Sequence, residues 1–280
     1  IGEVAVRIVN KVKLKGQIAV IKSQIGNVDP RKAKEMKQRL ADISAKSKEE
    51  DAQVLSPIIE RAAERFVHEL ELEDDEKYYG AFGKQYLSNS DIGALIDNPL
   101  SFHEHKSQSL PFLYGTAFHE MVMFGESDSM DCIDSSTRTT KIYKQAILDN
   151  DRSIMLLQKE ADEINRMVDM FKSNENIKSV LDIKNIQFEV PSVGVLTESN
   201  LLWKAKADII TDDYVYDIKT SASLKSFYRS SKSYNYDSQA YIYSTLFQKP
   251  MRFLVIEKGT GLIGIFDTSE EAYSNGSYKV

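Results

Sequence analysis

The sequence predicts a mixed α/β domain, its central mixed sheet flanked by helices, with an N-terminal α+β appendage. Three observations predict it. Ala161, Ile164, Met167, Val168 and Phe171 recur at the spacing of one helix face. From residue 186 onward the pattern changes to short apolar runs of strand length, broken by one helical stretch. The charge also divides: residues 1–50 hold 12 Lys+Arg and 6 Asp+Glu, a net of +6, whereas the whole chain is −6, so the remaining 230 residues carry −12. We place the boundary near residue 80, giving an appendage of unknown role over 1–80 and the main domain over 81–280.

In the appendage, Val4, Val6 and Ile8 alternate with other residues, so 3–21 reads as short strands. Asp29-Pro30 opens a charged helix at about 30–48, with Asp29 as cap and Pro30 at the first helical position. A second helix, about 53–70, carries Ile58, Ile59, Ala62, Phe66 and Leu70, and the acidic run Glu71–Glu76 reads as a linker. In the main domain, Ser90-Asp91 caps a short helix ending before Pro99. An apolar helix over 112–124 stops at Gly125, and the polar stretch 126–140 reads as a loop. After the long helix, strands are expected at 186–190, 193–197, 201–210 and 214–219. A helix at about 235–248 and strands at 251–257 and 261–266 close the run.

Composition narrows the function classes. Apolar residues make up 42 % and charged residues 28 % of the chain, as in a globular protein. No apolar run approaches the ~20 residues of a membrane span, so no membrane partner is expected. Ile1-Gly2-Glu3 shows neither an initiator Met nor a signal peptide and reads as a trimmed start. The single Cys132 excludes an internal disulfide framework and a Cys-rich metal site, and fits a cytoplasmic setting. No Gly-rich phosphate loop ending in Lys-Ser/Thr is present, so an ATP-driven motor is excluded. His103-Glu104-His105 has no second ligand pair at suitable spacing and is read as a surface turn. The net negative charge leaves DNA binding open, because a local basic strip can track phosphates.

The most informative stretch runs from Lys206 to Lys219 and reads as strand, tight turn, strand. If Asp212-Asp213 is a two-residue turn, Thr211 faces Tyr214 and Asp208 faces Asp217. Opposed residues share a face with Cβ atoms ~5 Å apart, and the strand period puts Lys219 on that face too. Two carboxylates this close repel unless a cation lies between them, and Mg²⁺ is the natural occupant, with Mn²⁺ as substitute. Such an ion polarises a phosphate and lowers the pKa of a bound water. Lys219 would orient that water or stabilise transition-state charge. The apolar flanks Ala207, Ile209, Ile210, Val215 and Ile218 mark the hairpin as central and buried, where charges need a reason.

Asp208, Asp217-Ile218-Lys219-Thr220, Gln239 and Tyr243 resemble the RecB-like branch of the PD-(D/E)XK nucleases, with a restriction-endonuclease-like core. The likeness is to phage-type exonuclease VIII (RecE-like) proteins and covers about residues 84–266. Gly115-Thr116-Ala117-Phe118-His119 resembles the group's glycine–threonine–histidine helix. Tyr86-Leu87-Ser88-Asn89-Ser90, with Asn98-Pro99 behind it, resembles the opening of the nuclease domain, and Arg138-Thr139-Thr140-Lys141 resembles its basic loop. The resemblance implies metal ligation by His119, Asp208, Asp217 and the Ile218 carbonyl. It implies Gln239 at the active-site edge and Tyr243 in support. It further implies an exonuclease acting on linear double-stranded DNA in phage-type recombination, working as a ring-shaped homo-oligomer with a single-strand annealing protein as partner.

Around this set, His119 sits mid-helix among Phe118, Met121 and Val122, where a histidine is either a core residue or a ligand. Glu189 offers a further acidic group near the site. Lys225, Arg229 and Lys232, interleaved with Phe227, Tyr228, Tyr234 and Tyr236 and with no acidic residue over 221–236, suit phosphate contact and base stacking. Two rival readings remain: a nuclease of single strands or flaps, and a catalytically silent DNA-binding or scaffold subunit.

Overall fold

A computed structural model describes residues 64–102, 108–196 and 201–280. The strands expected over 3–21, the helix at 30–48, the start of the helix at 53–70 and the turn His103-Glu104-His105 lie outside the described residues. The chain divides into two compact units, Ile1–Gln85 and Tyr86–Val280. In the first unit residues 64–71 are helical. The acidic run read as a linker instead starts a helix: the Asp74 carboxylate accepts from the backbone N–H of Glu76 at 2.8 Å and of Lys77 at 3.3 Å, capping Asp75–Tyr79. Asp75 and Glu76 then occupy the first turn, where the helix dipole favours negative charge.

The second unit is a five-stranded sheet with helices on both faces. Its helices are α1 (Asn89–Asp97), α2 (Leu110–Met123), α3 (Lys141–Asp149), α4 (Gln158–Ser173), α5 (Glu175–Leu181), α6 (Phe227–Ser233), α7 (Tyr236–Phe247) and α8 (Glu270–Lys279). A two-stranded parallel ladder joins β1 (Cys132–Ile133) to β2 (Leu156–Leu157). The main sheet holds β3 (Gln187–Val195), β4 (Leu202–Ile210), β5 (Val215–Ser221), β6 (Met251–Glu257) and β7 (Ile263–Asp267) in that order. Within this sheet β5 and β6 pair in parallel, joined by the crossover through α6 and α7, and the other neighbours pair antiparallel.

Alternation along β6 separates the two faces. Leu254 and Ile256 join Phe118, Ile164, Met167 and Phe171 of α2 and α4, while Phe253 and Val255 join Phe227 and Ala240 of α6 and α7. The stripe of α4 is buried as its spacing requires, with Phe171 edge-on to Phe118 at a ring separation of 5.6 Å. On the opposite face α8 lies against α7. Gly276 permits that approach, because a Cβ there would come 2.2 Å from the Asp237 carbonyl oxygen.

Several local expectations are corrected. Ser88, not Ser90, caps α1: the Asp91 carboxylate accepts from the Ser88 N–H at 2.7 Å. The stretch 126–140 contains a single turn of 3₁₀ helix, Asp128–Met130, and β1. The two strands expected over 186–197 are one strand, β3, which carries Pro191 within it; β3 lies at the sheet edge, where a proline is tolerated. The helix α8 was not anticipated. Its opening is capped by Ser269, whose hydroxyl accepts from Ala272 N–H. Among the described residues no helix is long and apolar enough to cross a membrane.

The core assignment has a direct test. Phe171→Ala removes a fully buried ring and should cost about 3–5 kcal/mol. Leu148→Ala on the exposed side of α3 should stay within about 0.5 kcal/mol of the parent. Urea unfolding of both variants reads the difference, and equal midpoints would contradict the layer order.

Candidate active site

The hairpin supplies the centre of the site. Ile209 pairs with Tyr216 and Ile210 with Val215, the register expected for a turn at Asp212-Asp213. In that register Asp208 and Asp217 come next, and there the ladder ends. Instead of a further backbone pair, the Asp208 carboxylate takes the Ile218 N–H at 2.6 Å through Oδ2.

The same place is irregular on the other side of β4. Phe188 pairs with Ile209 and Val190 with Ala207, leaving Glu189 opposite Asp208 outside the ladder. Glu189 has φ of +52°, a left-handed conformation that costs a non-glycine residue about 1 kcal/mol or more. The face alternation of β4 also breaks here. Trp203 and Ala205 pack against Ile242 and Leu246 of α7, whereas Ile209, of the same parity, packs with the α2 and α4 residues. The break lets neighbouring strands aim acidic side chains into one opening.

Into that opening α2 brings His119, carried by a turn whose Ala117 and Phe118 anchor in the core. His119 Nε2 lies 3.2 Å from Glu189 Oε1 and 3.3 Å from Asp208 Oδ1. Ligand atoms of His119, Glu189 and Asp208 all fall within 4.8 Å of one another. Burial opposes a charge on the imidazole, but the Asp208 and Glu189 carboxylates outweigh it and push its pKa up to about 11. Burial works against the Asp208 carboxylate too, yet His119, Lys219 and the Ile218 N–H hold it below the ordinary range.

Asp217 and Lys219 form the second half. Asp217 is buried; its Oδ1 accepts from Gln239 Nε2 and its Oδ2 lies 2.5 Å from Lys219 Nζ. Burial, aided by the Asp208 charge, pushes the Asp217 carboxyl up to about 6 against the pull of Lys219. For Lys219 burial favours the neutral amine, but Asp217, Tyr236 and Asp208 outweigh it and hold the ammonium above the usual lysine range. Its Nζ stands 5.1 Å from the centre of the Tyr236 ring.

The sequence-derived set is therefore placed as follows. His119 and Asp208 meet directly, and Asp217, Lys219 and Gln239 form a linked chain beside them. Ile218 contributes its N–H to Asp208. Tyr243 lies one turn along α7 from Gln239, where its hydroxyl donates to the Lys206 carbonyl at 3.0 Å and pins β4 to α7. Glu189 stands nearer His119 than its sequence context alone indicated; the signal available was its place opposite Asp208 once the two strands are put in register. Arg138 grips Glu160 through both terminal nitrogens, tying the segment before α3 to the start of α4. Lys225, Tyr228, Arg229 and Lys232 are exposed on a 3₁₀ turn and α6 directly after β5, in place of an irregular loop.

The donor set fits a divalent cation. His119 Nε2, Glu189 Oε1 and Asp217 Oδ2 are buried and make no well-formed hydrogen bond among the described residues, despite their ion-pair contacts. Two carboxylates and a neutral imidazole are ligands that Mg²⁺ or Mn²⁺ accepts, and a cation among them would displace the proton that the carboxylates otherwise hold on His119.

A mixed sheet bearing Asp208 on one strand and Asp217-Ile218-Lys219 on the next defines a PD-(D/E)XK-like domain. The sequence profile of the family described as "PDDEXK-like domain of unknown function (DUF3799)" matches residues 99–257, more than half the chain, and the chain belongs to that family. Comparison with curated protein sequences finds no match. Among solved structures, a protein described as "Putative exonuclease" from Eubacterium rectale aligns with a TM-score of 0.54 at 15 % identity, over 73 % of this chain and 81 % of that one. The crystal structure of SSO0001 aligns with a TM-score of 0.29 at 16 % identity, over 67 % of this chain and 83 % of that one. The first supports the fold; the second carries no argument.

The Asp217–Lys219 pair should reveal itself in stability. Lys219→Met leaves Asp217 buried with Gln239 as its remaining partner, a loss of about 3–5 kcal/mol where the carboxylate stays charged. The Asp217 pKa is already raised in the parent and rises further without Lys219. The variant should therefore be most stable at low pH and weaken as pH climbs through that raised value. Asp217→Asn combined with Lys219→Met should remove the pH dependence and recover part of the loss. Urea unfolding in chelator from pH 5 to 8 measures both; equal slopes for single and double variants would refute the coupling.

Proposed function

We propose that this domain is a divalent-metal-dependent deoxyribonuclease. The observation that carries the reading is the convergence of His119, Glu189 and Asp208 within ligand distance of one another, beside the Asp217-Ile218-Lys219 strand of a PD-(D/E)XK-like fold. His119, Glu189 and Asp208 would hold a cation, and Asp217 and the Ile218 carbonyl would complete the shell. When bound, Mg²⁺ or Mn²⁺ would supply Lewis-acid polarisation of the phosphate and a more acidic water.

The chain's own groups do the rest. Lys219 stays protonated across the neutral range, so it acts as a fixed positive charge on the phosphate oxygens and not as a proton acceptor. Gln239 holds the Asp217 carboxylate in place, and Tyr243 fixes the strand that carries Asp208. Lys225, Arg229 and Lys232 lie exposed just beyond Lys219, where they can follow the strand's phosphates while Tyr228 offers a stacking face.

Within this class we favour an exonuclease on the ends of linear duplex DNA, assembled as a homo-oligomer and acting in phage-type recombination beside a single-strand annealing protein. The support is the order of motifs from Tyr86 to Tyr243, which resembles RecE-like enzymes. Light scattering at micromolar protein should report an assembly larger than a monomer.

Labelled linear duplex and covalently closed circular DNA should be compared in Mg²⁺, Ca²⁺ and EDTA. The linear form should be degraded in Mg²⁺ alone, and Ca²⁺ should support binding without cleavage, since its looser coordination does not hold water and phosphate in line. Asp208→Asn, Glu189→Gln and Lys219→Met should each lower the rate by ~10²-fold or more. Cleavage in EDTA would end the metal mechanism, and tight binding without turnover in every metal would favour a silent scaffold.

A further inference from the structure

We propose that a small aromatic cavity next to Lys219 receives one unpaired base of the DNA strand being cut. This inference rests on the nuclease reading and adds to it a subsite and the form of DNA end that fills it.

The cavity lies between α6, α8 and the ends of β6 and β7, with a volume of about 120 Å³. Pockets that hold a drug-sized ligand run to ~300–1,000 Å³, so this one takes a single flat ring system and not a whole nucleotide. Phe227, Tyr236, Phe253 and Phe266 are among the residues that line it. Tyr236 stacks on Phe253 at 5.4 Å with a 26° tilt, and Phe227 meets Phe266 at 4.5 Å. Tyr228 is 65 % exposed at the mouth, with Lys232 Nζ 4.6 Å above its ring. Every base has a π-face, so such walls bind bases with little regard to sequence.

Charge selects the ligand class. Three carboxylates, Asp237, Asp267 and Glu271, line the cavity against one ammonium, Lys232, so a phosphate is disfavoured. Asp237 and Asp267 are held by Lys279 and Arg252, which leaves them as fixed hydrogen-bond acceptors. A neutral ring bearing N–H groups suits them, and a base provides those groups on its pairing edge once it has left its partner.

Position ties the cavity to the chemistry. Tyr236 belongs to both: one side of its ring faces Lys219 and the residue also lines the cavity. A base seated there would lie one aromatic ring away from Lys219, and it can enter only after it has left its pairing partner. The cavity would thus favour frayed or overhanging ends over fully paired ones.

The test uses the whole chain in Ca²⁺, with linear duplexes whose terminal 2-aminopurine is either paired or unpaired and whose far end carries an anisotropy dye. Wild type should bind the unpaired end more tightly and quench its 2-aminopurine by stacking. Ala272→Phe, which fills the cavity from α8, should abolish the quench and lower the frayed-to-paired affinity ratio roughly 10-fold. Ser231→Trp fills it from α6 and serves if the first variant fails to fold. Binding by anisotropy without quenching, in wild type, would overturn the base pocket and leave the nuclease reading standing. Absence of DNA binding altogether would overturn both. Relief of quenching by N-acetyl-phenylalaninamide but not by deoxyadenosine at equal concentration would assign the cavity to a partner's aromatic side chain and overturn the proposal.

Discussion

The negative charge gathered where β4 parts from its neighbours is the constraint on which the surrounding arrangement depends. Glu189, Asp208 and Asp217 come together on three adjacent strands whose next residues are apolar and buried, so each carboxylate must be balanced nearby. Asp208 is balanced by a backbone N–H and by His119, Asp217 by Lys219 and Gln239, and Glu189 by His119, with Lys206 at 3.7 Å. Each counter-group in turn explains an element. The apolar face of α2 anchors the turn that presents His119. The crossover through α7 follows β5 closely enough to return Gln239 to Asp217, and Ser238 hydrogen-bonds Asn89 to tie that helix to α1.

Much of this was legible in the sequence. The hairpin register follows from a two-residue turn and the strand period, and it puts Asp208 opposite Asp217. The stripe on α4 followed from its spacing alone. Illegible was the point at which regularity stops. A pairing rule extends a ladder indefinitely, and nothing in Ile186-Gln187-Phe188-Glu189-Val190 announces that Glu189 adopts a left-handed conformation. A glutamate does not adopt that conformation by local preference, so the approach of Glu189 to His119 is a tertiary result. The helix α8 was missed because its apolar face is small: among Glu270–Lys279 the buried residue is Gly276, and a helix that packs through a glycine leaves no hydrophobic period to read. Arg138 resembles part of a basic loop in sequence, and nothing in that resemblance announces its clamp on Glu160.

The fold alone does not choose among the activities that PD-(D/E)XK-like domains host. What narrows the choice is the state of particular groups. An ammonium held cationic by two carboxylates and a tyrosine is committed to electrostatics, whereas an amine with a depressed pKa would have been available for proton transfer. The two halves of the site are also held to different degrees: Asp217 and Gln239 are almost sealed from solvent, while His119 and Glu189 keep roughly a quarter of their side chains open. The open half is where exchangeable ligands can enter, and the sealed half keeps its geometry.

Apart from His119, the groups of this site lie on one uninterrupted stretch of chain, from Glu189 on β3 to Gln239 on α7. A centre built this way behaves as a cassette. Its internal distances are set by adjacent strands, β6 included, and the helix that follows β5, so insertions in surface loops outside β3 to β6 leave it unaltered. The flanks can therefore vary in loop length while the cassette keeps its geometry. A single residue imported from α2 is the seam between the two, the place where change in the surroundings first reaches the chemistry.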